Sequence, residues 1–202
     1  NFLCVLMAHG GGGQDTFIFA ADGEKVHLSG DVFSRFKGSR CQGLVGKPKV
    51  FLINACRGHE RMAFAPGAEE ADQEGAADDP QLPVGRSVPV DADSDLLVAF
   101  STLPDYVSWR DSSEGSWFIS TFVDILEKHH NQVHVVDMLT ATNQNIEKKA
   151  FEKEGKQLGQ AIETVARGLS GHIYWRGPQA EGTMVRSEAE LVAALQKGDN
   201  VC

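Results

Sequence analysis

The sequence predicts an α/β fold with a mostly parallel central sheet flanked by helices. Two nearly continuous apolar runs, residues 2–8 and 49–55, have the length and the Val, Ile, Leu and Phe content of strands buried on both faces. Further strand-like runs alternate with segments of helical periodicity, as in α/β proteins. The two runs end on reactive side chains, His9 and Cys56 respectively. Because the working groups of a parallel sheet gather beyond the carboxyl ends of its strands, we expect both side chains in one crevice.

The elements expected in the first third of the chain follow from apolar runs and turn residues. The first run stops at a row of four glycines, and an Asp-Gly pair at 22–23 is typical of a tight turn between two short strands. In order, we predict a strand at 2–8, a hairpin of 16–20 and 26–28, a helix from Ser29 to Phe36, a loop at 38–48 and a strand at 49–55.

The later elements are predicted mainly by helical periodicity. A strand at 96–101 is followed by a helix that Ser112 or Ser113 caps. Its apolar face is formed by Phe118, Phe122, Ile125 and Leu126. We then predict a helix at 135–149 with Leu139, Thr142 and Ile146 on one face, strands at 162–169 and 172–175, and a short amphipathic helix at 187–197.

An acidic segment interrupts this pattern and divides the chain. Residues 68–79 contain three Glu and three Asp without a basic residue, and prolines follow at 80, 83 and 89. Such a segment has too little apolar surface to offset the entropy lost on ordering it, which favours an exposed linker. The expected organisation is a first part at 1–66, the linker at 67–87, a second part at 88–176 and a tail at 177–202.

Composition excludes several classes of function. The chain has 202 residues, a formal net charge of −9 and a pI near 5.2, which gives no footprint for nucleic-acid binding. It has no apolar run of the length that spans a membrane, and its first apolar run is too short for a secretory signal. Its cysteines, at 4, 41, 56 and 202, show neither paired spacing nor a metal-binding pattern with histidine. We therefore expect no cofactor and no metal, and a reducing, cytoplasmic location.

The two reactive side chains together suggest nucleophilic catalysis. A thiol with an ordinary pKa of about 8.5 is only a few per cent thiolate at neutral pH, so it needs a nearby base to act as a nucleophile. Cys56 and His9 would form such a pair. The alternatives are a buried structural cysteine and a core histidine, which are the commoner fates of each residue when it stands alone.

Three blocks of sequence resemble the caspase family. Residues 54–58 read Asn-Ala-Cys-Arg-Gly, which resembles the caspase nucleophile motif with Asn in place of Gln, and the histidine lies 47 residues upstream (56 − 9) where about 50 is typical. Residues 106–111 with 115–117 resemble the start of the caspase small subunit. Residues 46–51 match the approach to the nucleophile strand. The likeness extends from residue 1 to about residue 176 and implies a three-layer, caspase-like sandwich.

The resemblance also implies a role for each site residue. Cys56 attacks the scissile carbonyl, and His9 passes a proton to the leaving amine. Backbone N–H groups of Gly10 and Cys56 hold the oxyanion. Arg110 grips the carboxylate of an Asp before the scissile bond, and Trp109 forms an apolar wall beside it. A surface ion pair for the arginine and a core position for the tryptophan are the alternatives.

Three further positions complete the predicted substrate groove. Asn54 is expected to contact the substrate carboxylate, although its side chain is one methylene shorter than the Gln of the family. Ser108 lies in the same block as the arginine. Val107 stands where effector caspases often have Tyr, so the groove resembles that of initiator members. Caspases also have an earlier pocket Arg that no position here matches, which leaves open a piece of a longer polypeptide or an incomplete pocket.

The resemblance finally implies processing and partners. Cleavage of the linker after Asp72, Asp78 or Asp79 would separate the two parts of the chain. The partners expected are protein substrates with Asp before the scissile bond, a second copy of the processed subunits, and adaptor or inhibitor proteins. Two other functions stay open: a catalytically weak homologue that regulates an active protease by heterodimerising with it, and a related cysteine protease that prefers Arg, Lys or Asn.

Overall fold

The computed structural model describes residues 2–64, 93–130 and 132–175. The predicted linker, Asp72, Asp78, Asp79 and the predicted helix at 187–197 lie outside these residues. The strands are β1 Phe2–Met7, β2 Gly10–Gly11, β3 Phe17–Phe19, β4 Lys25–His27, β5 Lys49–Asn54, β6 Gly58–Glu60, β7 Met62–Ala63, β8 Leu96–Phe100, β9 Asp105–Tyr106, β10 Arg110–Asp111, β11 Gly115–Ser116, β12 Phe151–Lys153, β13 Lys156–Gly159 and β14 Glu163–Arg167. The α-helices are α1 Trp117–His129 and α2 Val135–Glu147.

A four-stranded sheet forms the centre of the fold. Its strand order is β1-β5-β8-β14, with the first three strands parallel and β14 antiparallel to β8. All of β8 and the first five residues of β5 are buried, which accounts for their continuous apolar sequence. The prediction of a mostly parallel sheet is confirmed.

Both faces of the sheet are covered, which gives three layers. On one face α1 and α2 pack against side chains from β1, β5 and β8, and on the other face the segment 28–36 packs against the alternate side chains of the same strands. The residues buried between the helices and the sheet include Val50, Leu97, Phe118, Phe122 and Leu139. The residues buried between the segment 28–36 and the sheet include Leu28, Phe33, Phe51, Val98 and Phe100.

Helix α1 begins later than the sequence pattern predicts. Its N-cap is Ser116, whose Oγ accepts a hydrogen bond from the backbone N–H of Ile119 at 3.3 Å, and neither Ser112 nor Ser113 caps it. Ser113 instead donates its backbone N–H to the carboxylate of Asp111 at 2.7 Å, within the turn that joins β10 to β11. A short-range turn of this kind competes with helix formation. The predicted start of α1 was therefore about one helical turn too early.

Several other elements also differ from expectation. The segment 28–36 forms a single π turn at Leu28–Val32 and a 3-10 turn at Phe33–Phe36 rather than an α-helix. The segment 172–175 is not a strand, and Tyr174 makes one isolated bridge to His134. The hairpin of β12 and β13 was not predicted.

In the part of the chain that the structure describes, no helix is long and apolar enough to cross a bilayer.

Candidate active site

The parallel pairing of β1 with β5 brings the predicted dyad to one end of the sheet. Met7 stands opposite Asn54 in the register, and the ladder continues by one bond, from the Ala8 N–H to the Asn54 carbonyl at 3.2 Å. His9 lies two residues beyond the end of β1, and Cys56 lies two residues beyond the end of β5. Both residues line one cavity of about 760 Å³, whose wall is formed by residues 7–9, 54–56, 108–112 and 115–116.

The sulfur at this cavity is accessible and has a backbone donor. Cys56 is half-buried and His9 is exposed, so neither is sealed beneath packed side chains. The backbone N–H of Ser108 donates to Cys56 Sγ at 3.4 Å, an interaction that strengthens when the acceptor is charged. Burial by contrast raises the pKa of Cys4 to about 11, so that thiol stays protonated near neutral pH. The local environment therefore favours Cys56 over Cys4 as a nucleophile.

The residue after the cysteine, Arg57, anchors this segment in the core. Its guanidinium donates to Thr16 Oγ1 at 2.9 Å and to the Thr102 carbonyl at 3.1 Å, and it forms an ion pair with Glu163. The group also lies over the Phe100 ring, 4.1 Å from its centroid. Arg57 is only 2% exposed, so it contributes to the position of the cysteine and is not available to substrate.

Glycine is required after the histidine for close approach to the cysteine segment. A Cβ at Gly10 would lie 2.5 Å from the Phe17 carbonyl oxygen and 3.0 Å from the carbonyl oxygen of Cys56. The glycine row is held to the same segment by Gly13, whose N–H donates to the Arg57 carbonyl at 2.6 Å. Gly10 itself lies outside the cavity lining, next to His9 in the wall.

Trp109 and Arg110 form part of the cavity wall. The Trp109 backbone N–H donates to Gln160 Oε1 at 2.6 Å, and its indole N–H donates to the Gly159 carbonyl at 2.9 Å. The ring is half-buried, with the Phe151 ring packed edge-on at a centroid distance of 5.1 Å. Arg110 is exposed at the cavity. A fixed apolar wall therefore lies beside a cation that is open to solvent.

Asn54 reaches the same cavity with its amide group oriented by two serines. Its Oδ1 accepts from Ser116 Oγ at 2.6 Å and from Ser108 Oγ at 3.5 Å. Within the described residues its amide nitrogen donates no hydrogen bond, which leaves both N–H groups for a ligand. The sequence reasoning missed Ser116 as a site residue, although it lies in the block at 115–117 that resembles the family.

Val107 is the one predicted groove residue outside the cavity wall. Its backbone N–H donates to the Glu60 carbonyl at 2.9 Å, which ties this segment to β6 instead. A role for Val107 in substrate binding stays a prediction. The wall also contains the His9 imidazole and the Asp111 carboxylate.

The described residues include no group of three or more His, Cys, Asp or Glu side chains that could hold a metal ion. The cavity wall itself presents thiol, imidazole, amide and guanidinium groups. These groups suit attack on an acyl carbon followed by proton transfer to the leaving group.

Comparison with known proteins gives the family. A family model described as "Caspase domain" matches residues 1–168. Caspase-3 of Bos taurus is 40% identical over 146 residues, which are 72% of this chain and 48% of that protein. Caspase-7 of Gallus gallus is 35% identical over 144 residues, which are 70% of this chain and 43% of that protein. The chain thus spans about half the length of the curated relatives that it matches.

A solved structure supports the same fold. The crystal structure of caspase-1 from Spodoptera frugiperda superposes with a TM-score of 0.68, at 24% sequence identity, over 89% of this chain and 64% of that chain. The caspase-like sandwich implied by the three sequence blocks is therefore confirmed. Fold, cavity residues and family match all lead to one conclusion: the chain belongs to the caspase family, whose members are proteases of the cysteine type.

Proposed function

We propose that this protein is a cysteine endopeptidase that cleaves after Asp, in apoptotic or inflammatory signalling in the cytoplasm. The observation that carries the proposal is the meeting of Cys56, His9 and Arg110 in the wall of one cavity. These three residues come from the ends of two parallel strands and from a third segment that contacts the sulfur. The relatives at 35–40% identity are themselves caspases.

The proposed reaction is an acyl transfer through a thioester. His9 takes the proton of the Cys56 thiol as Sγ forms a bond to the scissile carbonyl carbon, and the backbone N–H groups of Gly10 and Cys56 stabilise the oxyanion. His9 then gives a proton to the leaving amine as the C–N bond breaks. Water attacks the thioester carbon, His9 accepts its proton, and the thiol is regenerated as the acid product leaves.

Selection of Asp is assigned to Arg110 and Asn54. A guanidinium is permanently charged and can bind a carboxylate through two parallel hydrogen bonds. Because the Asn54 oxygen accepts from Ser116 and Ser108, its amide nitrogen can donate to the same carboxylate. A basic side chain at this position of the substrate would instead be repelled by Arg110, which argues against a protease that prefers Arg or Lys.

Fluorogenic peptides that differ only in the residue before the cut test this proposal. We expect turnover of the peptide with Asp to exceed that of the peptides with Asn, Lys or Arg by at least about a hundredfold, the scale of a lost charge-assisted pair. Cys56→Ala should abolish turnover, whereas Cys4→Ala, which removes a thiol away from the cavity, should retain it. Cleavage of all peptides alike, or turnover that survives Cys56→Ala, would contradict the proposal.

The regulatory alternative is favoured by one observation at Asn54. Its side chain is shorter than the Gln of the family motif, and its oxygen is already committed to two serine hydroxyls. A pocket of reduced affinity would suit a homologue that binds an active caspase without cleaving substrate. Absence of turnover, together with a stable heterodimer with an active family member, would support this alternative.

We further propose that the chain acts after processing. Cleavage after Asp72, Asp78 or Asp79 within the linker at 67–87 would separate the part at 1–66 from the part at 88–176, and the processed subunits would form a homodimer open to adaptor or inhibitor proteins. Incubation of the purified protein should yield two fragments, whereas Cys56→Ala protein should stay intact. Equal fragmentation of both proteins would show that another protease is responsible.

A further inference from the structure

One charged residue of the cavity wall has no part in the proposed reaction. Asp111 follows Arg110 in β10, and both residues are exposed and line the same cavity. The cavity therefore offers a cation and an anion at neighbouring positions of one strand.

The turn between β10 and β11 fixes the Asp111 carboxylate in its charged form. Its Oδ1 accepts from the Ser113 N–H at 2.7 Å, from the Ser113 hydroxyl, and from the Glu114 N–H at 3.1 Å. The Ser113 hydroxyl, followed by these two N–H groups, holds the pKa of Asp111 below its ordinary value. The carboxylate is thus ionised at any pH at which the protein would work.

Asp111 takes part in no ion pair within the described ranges. The Lys149 ammonium lies 3.6 Å from Glu114 Oε2, and its charge is only the last of the influences that lower the pKa of Asp111, after the hydrogen bonds from Ser113 and Glu114. The hydrogen bonds of the turn all go to Oδ1. Oδ2 and its share of the negative charge are consequently available to a ligand.

The direction of the segment shows which part of a substrate would meet this charge. Ser108 contacts the sulfur through its backbone N–H, and Asp111 lies three residues further along the chain from that contact. Arg110, one position earlier, is assigned to the residue before the cut. An extended peptide advances about 3.3 Å per residue. A residue up to three positions before the Asp can therefore lie beside Asp111.

We propose that Asp111 is a specificity-determining residue that selects substrates with a Lys or Arg within three residues before the cleaved Asp. The inference rests on the peptide path of the proposed function. Exposed ion pairs contribute about 0.2–1 kcal/mol, and repulsion of a like charge has a similar size. The preference for Lys over Glu at the responding position is therefore about tenfold.

Binding of labelled peptides to Cys56→Ala protein tests this without requiring turnover. The probes are tetrapeptides that end in Asp, with Lys, Ala or Glu placed in turn at each of the three preceding positions, and the readout is fluorescence anisotropy. We expect one position at which the Lys peptide binds about tenfold more tightly than the Glu peptide. This ratio should shrink towards about twofold at roughly 0.5 M salt, because exposed charges are screened.

Two variants distinguish a direct effect of the Asp111 carboxylate on the peptide from the effect of the overall charge of the protein. Asp111→Asn keeps the oxygen that accepts the hydrogen bonds of the turn and removes only the charge, so the Lys/Glu ratio should fall below about threefold. Asp124→Asn removes an equal charge that is exposed on α1, outside the cavity wall, so the ratio should be unchanged. A ratio that survives Asp111→Asn, or that falls equally in Asp124→Asn, overturns the proposal.

The same peptides distinguish this inference from the proposed function. Wild-type protein should cleave the Lys peptide faster than the Glu peptide. If the Lys peptide binds as expected and is not cleaved, the protease assignment fails while the role of Asp111 stands. If the peptides are cleaved after Asp with no effect of charge at any of the three positions, the role of Asp111 fails and the protease assignment stands.

Discussion

At the scale of single residues, Gly10 makes the most specific demand on the candidate site. Because a Cβ would lie within 3.0 Å of two carbonyl oxygens, Gly10→Ala must separate the histidine segment from that of Cys56. We expect a loss of about 1–3 kcal/mol in the free energy of unfolding and at least about a tenfold loss in kcat/KM. Urea unfolding and steady-state assays measure the two effects.

The matched control for this change is Gly43→Ala. A Cβ at Gly43 would meet no atom within 4 Å, and its backbone is not left-handed. Its substitution should leave both the equilibrium constant of unfolding and kcat/KM within about twofold of the parent values. If Gly10→Ala behaves like Gly43→Ala, the close contact between the two segments does not matter for the site.

Arg57 carries the second prediction at this scale. Removing one partner of a buried ion pair leaves an uncompensated charge and usually costs about 3–5 kcal/mol. Glu163 is partly exposed, with 29% of its side chain accessible, so its charge can be hydrated when Arg57 is removed. We therefore expect Arg57→Met to lower the free energy of unfolding by about 2–4 kcal/mol, measured by urea unfolding.

Glu163→Gln provides the comparison, because it removes the charge and keeps an acceptor oxygen for the guanidinium. It leaves the guanidinium, with only 3% of its side chain accessible, buried without a counter-charge, so it should destabilise the protein by about as much as Arg57→Met. A loss less than half as large would mean that the bonds to Thr16 and Thr102 and the stacking on Phe100, rather than the ion pair, supply most of the anchoring.

The sequence predicted the residues of the cavity wall better than the residues that hold them in place. His9 and Cys56 could be found because each follows an apolar strand, and parallel strands end at the same edge. Gln160, by contrast, is fully buried and joins Trp109 to the Ser101 carbonyl. No pattern marks such a residue, because its partners are distant in sequence.

At the scale of elements, helix α1 links folding to the site through its N-cap residue, Ser116. The hydroxyl of Ser116 accepts from the Ile119 N–H as the N-cap and donates to Asn54 Oδ1. Ser116→Ala should therefore lower the free energy of unfolding by about 1 kcal/mol and also raise KM, because Asn54 loses its shorter hydrogen bond. Unfolding curves and assays with the Asp peptide measure the two effects.

Ser112→Ala distinguishes this arrangement from the one that the sequence pattern suggested. Ser112 is exposed and lies four residues before the observed cap. Its substitution should leave the free energy of unfolding within about 0.5 kcal/mol of the parent. If Ser112→Ala destabilises the protein more than Ser116→Ala does, the helix begins where the periodicity alone would place it.

Among the strands that were predicted correctly, β5 and β8 are buried on both faces. Their continuous apolar sequence is a strong signal, whereas β12 and β13 are short and mostly polar and were missed. Their turn has Glu154 and Gly155 at φ values of 55° and 72°, the backbone of a two-residue hairpin in which glycine at the second position is favourable. The Gly at 155 was therefore an available signal for this hairpin.

At the scale of the whole molecule, the layers on both sides of the sheet determine where the site can be. Side chains alternate along β1, β5 and β8, so each strand contributes to both layers and none of the three can tilt alone. The ends of β1 and β5 consequently stay in register, and with them the residues of the dyad. The prediction of one crevice depends on this coupling, which the two apolar runs already indicated.

The same packing gives stability a dependence on alkaline pH through Cys4 in β1. Burial raises the pKa of this thiol to about 11 in the folded protein, against 9.0 for an ordinary cysteine. The folded state therefore retains a proton that the unfolded chain releases, so stability is complete below about pH 9 and declines as the pH rises from about 9 towards 11. Because the thiol is only partly buried, we expect this contribution to be about 1–2 kcal/mol.

Unfolding in urea at pH 8 and pH 10.5, for the parent and for Cys4→Ala, measures this contribution. Lysines and tyrosines titrate in both proteins, so their effects cancel when the two pH dependences are subtracted. The parent should lose about 1–2 kcal/mol more than Cys4→Ala over this interval, although the variant is the less stable protein at pH 8 because it leaves a small cavity. Parallel pH dependences would mean that the thiol ionises as readily in the folded protein as in the unfolded chain, and that β1 is less tightly packed against β5 than the structure shows.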